Sequence, residues 1–201
     1  MRVVAKKQSR EVRREQIAEA ALELLARQGI RRLSVGAVAR RIGVVPSAVY
    51  RHFRGKEEIL SAAVGRMGDR LLENVLRAGS AEEDAVERLR KILGFHVETI
   101  RQGYAGPRIL FAEGISGGGA HHREEVYHVI RRYLDRVAEV IRQGQRRGDI
   151  REDIDPAAAA VHFIGLIQPA ATLWYFSEGK FDVTRHAKKS FALFAKSIRT
   201  G

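Results

Sequence analysis

The chain has 201 residues, of which 45% are hydrophobic and 30% charged, and it contains no cysteine. This length allows one domain, or one large and one small domain, and the composition is that of a globular protein rather than a disordered one. Without cysteine, a disulfide framework, a thiolate metal site and a cysteine nucleophile are excluded. The basic N-terminal segment lacks an apolar stretch of signal-peptide length, so we expect a cytoplasmic protein.

The positive charge is concentrated near the N-terminus. The formal net charge is +12. Residues 1–60 hold 14 basic and 6 acidic side chains, whereas residues 61–201 hold 22 and 18. A basic excess in less than a third of the chain indicates contact with a polyanion such as DNA, although a solvated arginine-rich surface would also produce it.

Apolar residues at helical spacing recur along the chain and predict an all-α fold. The first helix ends at Gly29, and Ser34 caps a short second helix that Gly43 breaks. Pro46 suits the first turn of another short helix, and a long helix begins near Lys56. Further helices are predicted at about 82–102, 105–114, 121–147, 156–178 and 182–199.

The two short helices joined at Gly43 match a helix-turn-helix, whose second helix lies in the major groove of DNA. The outer face of this second helix carries side chains that hydrogen-bond phosphates and base edges, namely Ser47, Tyr50, Arg51 and His52. Lys56 adds a positive charge beside the free backbone N–H groups that begin the next helix. The alternative is a helical hairpin with an ordinary polar face.

The segment "LSVGAVARRIGVVPSAVYRHFRGKEEIL" resembles the DNA-binding region of the tetracycline-repressor (TetR) family of bacterial transcription regulators. The resemblance runs from about Arg10 to about Val64 and rests on the Gly-Val turn, the Tyr-x-His-Phe motif and the Lys-Glu that follows. It implies an all-helical protein with a three-helix DNA-binding head at residues 1–55 and a ligand-binding and dimerising body at residues 56–201. The implied function is a ligand-responsive repressor that binds a palindromic double-stranded DNA operator as a homodimer.

The same resemblance implies roles for individual residues of the head. Ser34, Tyr50, His52 and Lys56 would contact phosphates, and residues 46–49 would face bases. The complete predicted DNA-binding set is Ser34, Val35, Pro46, Ser47, Ala48, Tyr50, Arg51, His52 and Lys56.

Residues 156–177 contain no charged side chain. A transmembrane helix is one interpretation, since about 20 apolar residues span a bilayer. The six alanines of this run, together with His162, Gln168 and Pro169, favour instead a helix buried against its own core and a partner subunit. We therefore predict no membrane partner, a dimer interface formed with the last helix, and a kink at Pro169 that lines the effector cavity.

Aromatic and polar residues within the otherwise apolar helices are candidates for binding a small-molecule effector, although each is also a possible core residue. They are Phe95, His96, Thr99, Tyr104, Phe111, His162, Gln168, Trp174 and Tyr175. The sequence does not identify the effector.

The segment "HHREEVYH" supports a rival hypothesis of a metal-binding helical protein or enzyme. His121, Glu125 and His128 share one helical face at metal-ligand spacing, although a solvated helix start is the plainer interpretation. No paired-carboxylate, Ser-His-Asp or phosphate-binding glycine motif is recognisable, so we expect a protein that is not an enzyme and has no cofactor. A third hypothesis, a nonspecific nucleoid or membrane-surface binder, accounts for the charge but not for the turn glycine and the Tyr-x-His motif.

Overall fold

The computed structural model describes residues 9–102 and 120–200, with the side chains of residues 120 and 121 excepted. These ranges contain nine α-helices: α1 Arg10–Gln28, α2 Val35–Arg41, α3 Pro46–Tyr50, α4 Lys56–Arg77, α5 Ala85–Arg101, α6 Ala120–Arg147, α7 Pro156–Gly165, α8 Gln168–Phe176 and α9 Val183–Ile198. They contain no β-strand beyond an isolated bridge between Ile150 and Arg199. The prediction of an all-α fold is therefore confirmed, while the predicted helix at 105–114 lies outside the described residues.

Several helices begin where a side chain accepts a hydrogen bond from the first turn. The Ser34 hydroxyl accepts from the backbone N–H of Ala37 at 3.1 Å and so begins α2. The Asp155 carboxylate accepts from the backbone N–H of Ala157 at 2.7 Å and begins α7. Each such cap satisfies a backbone donor that the helix itself leaves unpaired.

The N-terminal core packs α1, α2, α3 and the first half of α4 together. Ile17, Val38, Val49, Ile59 and Ala63 are all fully buried there. The backbone turns between α2 and α3 at Gly43, whose φ of +69° is the left-handed conformation that glycine adopts without strain. Because this core includes α4 as far as Val64, it continues past residue 55, where the sequence predicted the boundary between head and body.

A second core lies among α5, α6, α7, α8 and α9. Its largest fully buried side chains include Tyr133, Phe163 and Phe194. Helix α6 contributes to both cores, because Val126 and Val129 pack in the first and Tyr133 in the second. This helix therefore packs against both the head and the body.

The uncharged run forms two helices rather than the single kinked helix that we predicted at 156–178. Helix α7 ends at Gly165, and Pro169 lies in the first turn of α8. The reason is that proline lacks an N–H and its ring clashes with the carbonyl four residues earlier, here that of Gly165. By length and composition the segment Pro156–Phe176 would suffice to cross a membrane, but one face of it packs in the core of the body.

Candidate DNA interface and effector site

Helix α3 and Arg51, the residue that follows it, carry five of the nine predicted DNA-binding residues. Pro46, Ser47 and Arg51 are exposed, and 58% of Tyr50 is exposed. Ala48 is half-buried, whereas Val49 is fully buried and anchors the helix on the head core. Since a five-residue helix is not stable alone, this packing holds the outer face of α3 in place.

Two predicted residues at the start of α2 differ in accessibility. Ser34 is exposed, with its hydroxyl at the helix N-terminus. Val35 is 8% exposed and packs in the head core. The Val35 side chain therefore lies on the buried face of this amphipathic helix, and its contact with DNA stays a prediction.

Lys56 is the first residue of α4 and is half-buried. The residue before it is Gly55, and no side chain caps this helix. The first backbone N–H groups of α4 and the positively charged Lys56 side chain therefore belong to the same helix end, a combination that suits a phosphate.

Arg14 of α1 joins the end of α3 to the start of α4, a role that the sequence did not predict. Its guanidinium lies 4.2 Å from the centre of the Phe53 ring and donates a hydrogen bond to the backbone carbonyl of His52. It also donates to the Glu58 carboxylate at 3.1 Å, which in turn accepts from the backbone N–H of Arg54 at 2.8 Å. Arg14 and its partner Glu58 thus hold the three residues that follow Arg51, namely His52, Phe53 and Arg54.

The electrostatic surroundings of His52 are strongly positive. Burial lowers the pKa of His52, and the guanidinium groups of Arg10, Arg13, Arg14 and Arg51 lower it further. The His52 Nδ1 atom is buried and has no hydrogen-bond partner among the described residues. An anion placed here would relieve this repulsion, as a DNA phosphate would.

Arg51 differs from several nearby arginines in having no acidic partner among the described residues. Arg41 pairs with Glu23, and Arg66 and Arg70 pair with Glu19. In the described part of the chain, Arg51 takes part in no ion pair. Its exposed guanidinium therefore lies at the end of α3, where it can form hydrogen bonds with DNA.

The effector candidates of α5 lie along one stretch of that helix. Phe95 is half-buried beneath the Arg77 guanidinium, which lies 4.3 Å from the ring centre. Thr99 donates its hydroxyl hydrogen to the Phe95 carbonyl at 2.8 Å. His96 is 6% exposed and therefore the most deeply buried of the three.

The remaining effector candidates are more dispersed. His162 is exposed, with its ring centre 5.4 Å from that of Phe194. Gln168, Trp174 and Tyr175 are half-buried on α8. Tyr104 and Phe111 lie outside the described residues.

Two buried polar residues of α6 were not predicted from the sequence. Tyr133 is fully buried, with its ring centre 5.2 Å from that of His96, and His122 is 5% exposed. They are eleven residues apart, about three helical turns, so they share the face of α6 that carries Val126, Val129 and Val137. That spacing could have revealed them, but the surrounding arginines mark α6 as a surface helix.

The metal cluster of the rival hypothesis falls only partly within the described residues. His128 is exposed and pairs with Glu124 at 3.7 Å, and the side chain of His121 is outside the described set. In the parts of the chain that the structure describes, no group of three or more histidine, aspartate or glutamate residues could hold a metal ion. The plainer interpretation, a solvated helix start, agrees with this geometry for His128.

In the residues that the structure describes, a basic helix-turn-helix head joined to a separate helical core is the arrangement of a DNA-binding transcription regulator. Residues 17–63 match the family described as "Bacterial regulatory proteins, tetR family", and residues 82–198 match the family described as "Tetracyclin repressor-like, C-terminal domain". The chain therefore belongs to the TetR family of bacterial transcription regulators. The resemblance noted from the Tyr-x-His-Phe segment is confirmed.

Individual relatives are distant but match over nearly the whole chain. The "Fatty acid metabolism regulator protein" of Bacillus subtilis is 23% identical, over 91% of this chain and 94% of the relative. The "Nucleoid occlusion factor SlmA" of Vibrio atlanticus is 22% identical, over 93% and 96%. The structure of the transcriptional regulator FadR from Bacillus subtilis in complex with stearoyl-CoA superposes on this chain with a TM-score of 0.71. The two sequences are 23% identical, and the match covers 92% of this chain and 98% of FadR.

Proposed function

We propose that this protein is a repressor that binds a palindromic operator as a homodimer and loses or gains affinity when a small molecule binds its body. The observation that carries the proposal is helix α3 with the residue that follows it: the exposed hydroxyl groups of α3 and the exposed Arg51 guanidinium are held by a fully buried anchor, Val49. Such a helix has the length and the polar face of one that enters a major groove.

In the proposed complex, α3 reads bases and its neighbours hold the backbone. Ser47 faces base edges, and Arg51 binds either a base edge or a phosphate. Tyr50, His52, Lys56 and Ser34 donate to phosphates. Ala48 and Pro46 supply apolar contact at the base edges. The positive surroundings of His52 support this assignment, because they favour an anion.

The proposed dimer forms through α7, α8 and α9. Four large apolar side chains on these helices are exposed in the single chain: Val161 at 55%, Leu173 at 49%, Phe176 at 77% and Leu193 at 72%. Apolar surface of this kind on a soluble protein marks a site of association. Covering it with the same surface of a second copy gives the two-fold symmetry that a palindromic operator requires.

The effector site belongs to the body. Phe95, His96 and Thr99 of α5 remain its predicted lining, with Trp174 and Tyr175 of α8. A regulator with these parts acts on DNA in the cytoplasm and performs no chemistry of its own, in keeping with relatives whose names describe regulators and a nucleoid occlusion factor. A membrane is not among the proposed partners.

Selection from a random-sequence DNA pool tests this proposal and does not require the operator sequence to be known. We expect the purified chain to enrich an inverted repeat, and we expect the double variant Tyr50→Ala/Arg51→Ala to enrich none. Arg90→Ala, which changes an exposed arginine of α5, is the matched control and should enrich the same repeat. Failure of the unaltered chain to enrich any sequence would refute the proposal.

A further inference from the structure

Two buried polar side chains of the body touch each other and have no hydrogen-bond partner among the described residues. His96 is 6% exposed and Tyr133 is 0% exposed, and their ring centres are 5.2 Å apart. Both ring nitrogens of His96 and the hydroxyl of Tyr133 lack a partner within that part of the chain. Because an unpaired buried polar group is costly, native proteins rarely keep one without a bound partner or a functional reason.

Both side chains are uncharged where they lie. Burial lowers the pKa of His96 to about 4, and burial also raises the pKa of Tyr133 above its ordinary value. The neutral imidazole offers one N–H donor and one acceptor nitrogen, and the phenol offers one donor and one acceptor oxygen. Together they present a compact set of donors and acceptors without charge.

Their surroundings are apolar. Ile92 and Val97 of α5 and Val137 of α6 belong to the same buried core. The buried Arg88 lies eight residues before His96, about 12 Å along the helix axis, and donates to Gln143 at 2.7 Å. Among the described residues, no ion pair or charged hydrogen bond involves His96 or Tyr133, so a charged group placed beside the pair would lose its hydration without a described partner of opposite charge.

We infer that His96 and Tyr133 form the polar anchor of the effector site and select an effector with an uncharged hydroxyl, ketone or ester group on an apolar skeleton. This inference rests on the proposed function, because it assumes that the body binds an effector. It adds Tyr133 to the site and states the chemistry of the group that the site takes. A carboxylate or an ammonium group is rejected at this position.

Calorimetric titration of the full chain at pH 7.5 tests the chemical class with matched probes. The first series is 1-decanol, decanoate and decyltrimethylammonium, and the second is 2-naphthol and 2-naphthoate, each used below its aggregation or solubility limit. We expect saturable binding of a neutral probe that is at least about tenfold tighter than binding of the charged members of its series. Equal or tighter binding of a charged probe, or no saturation by either neutral probe, overturns the inference.

Two tyrosine variants on the same helix separate an anchor from a structural hydroxyl. Tyr133→Phe removes only the buried hydroxyl, and Tyr127→Phe removes an exposed one as the matched control. We expect Tyr133→Phe to bind the better neutral probe about tenfold more weakly while its melting temperature stays the same or rises, because no unpaired hydroxyl remains to be buried. A lower melting temperature with unchanged probe affinity would show that the hydroxyl is structural and would overturn the inference.

The same protein preparations distinguish this inference from the proposed function. If the unaltered chain enriches an inverted repeat but prefers charged probes, only the inference about the anchor fails. If the chain enriches no DNA sequence, the proposed function fails, whatever the probes show.

Discussion

The head and the body arrange their polar and apolar side chains in opposite ways. The head buries an apolar core and exposes Tyr50 and Arg51 to solvent. The body buries His96 and Tyr133 and exposes large apolar side chains, among them Phe176 and Leu193. Exposed donors suit a large hydrated polyanion, whereas buried donors suit a small molecule that leaves water completely.

This contrast indicates where DNA, a small effector and a second subunit would each bind. A polyanion contacts a surface and needs charges that remain hydrated until it arrives. A small effector needs an enclosed site, and a second subunit needs an exposed apolar face. The opposite arrangements of the two regions thus suit the three partners that we propose for one chain.

The largest expected effect comes from placing charge on the exposed apolar face of the body. Leu193→Glu combined with Val161→Glu should convert the dimer to monomers at micromolar concentration, because an unpaired charge buried in an interface costs about 3–5 kcal/mol. Sedimentation velocity measures the change. Tyr127→Glu, which changes an exposed residue of α6, is the control and should remain dimeric. If the double variant also remains dimeric, α7 and α9 do not form the interface.

Acid should destabilise the body through His96. Its pKa is about 4 in the folded chain, against 6.5 for an ordinary histidine. The unfolded chain therefore binds a proton as the pH falls below about 6.5, while the folded chain remains neutral at this site until about pH 4. The free energy of unfolding therefore decreases as the pH falls from 6.5 to about 4, and the contribution of His96 to this decrease is about 3 kcal/mol.

Denaturant unfolding at pH 7.5 and at pH 4.5 measures this loss. His96→Gln should show a smaller difference between the two pH values than the unaltered chain. His128→Gln, which changes an exposed histidine of α6, should retain the full difference. An unchanged difference in His96→Gln would mean that His96 is not buried in its neutral form.

Arg51 gives a finer test of the head, because its exposed guanidinium suits either a guanine or a phosphate. If it binds the O6 and N7 atoms of a guanine, Arg51→Ala should cost roughly 1–3 kcal/mol and relax the preference at one symmetric pair of operator positions. If it holds a phosphate, the loss should be the same on every sequence. Anisotropy titration with operators changed one base pair at a time separates the two cases.

Arg14 should affect operator binding without touching DNA. Arg14→Ala releases the His52 carbonyl and the Glu58 carboxylate, so we expect about tenfold weaker operator binding as the end of α3 loses its support. Arg14→Lys keeps the charge but not the forked contacts and should also bind more weakly. Arg66→Ala removes another arginine that pairs with α1 and serves as the control. Operator affinity equal to that of the unaltered chain in Arg14→Ala would leave Arg14 with a role in stability alone.

The smallest expected effect is a pH dependence of operator binding. The pKa of His52 is lowered in the free chain, and a nearby phosphate would raise it. Binding would then take up a proton, so affinity should increase as the pH falls from 8 towards 6 and decrease again as it rises. His52→Gln should flatten this dependence, and an unchanged slope in that variant would exclude His52 as the titrating group.

The sequence predicted the head better than the body, and the reasons are physical. The head is specified by signals that are local in the sequence. They are the capping Ser34, the glycine at position 43 where the backbone takes a positive φ, and Pro46 in the first turn of a helix. In the body, the contact between His96 and Tyr133 joins residues on two helices, and neither residue's neighbours in the sequence indicate it. The break at Gly165 was missed for a different reason, since a proline can kink a helix or begin a new one.

The salt dependence of operator affinity tests the central claim most directly, since it counts the phosphates that the head contacts. The measurement compares the unaltered chain with Lys56→Ala on the selected operator and on unrelated DNA of equal length. We predict that Lys56→Ala weakens binding to both by a similar factor and lowers the slope of log affinity against log salt concentration by about one. An unchanged slope and affinity on both DNAs would contradict the placement of the DNA backbone at the start of α4.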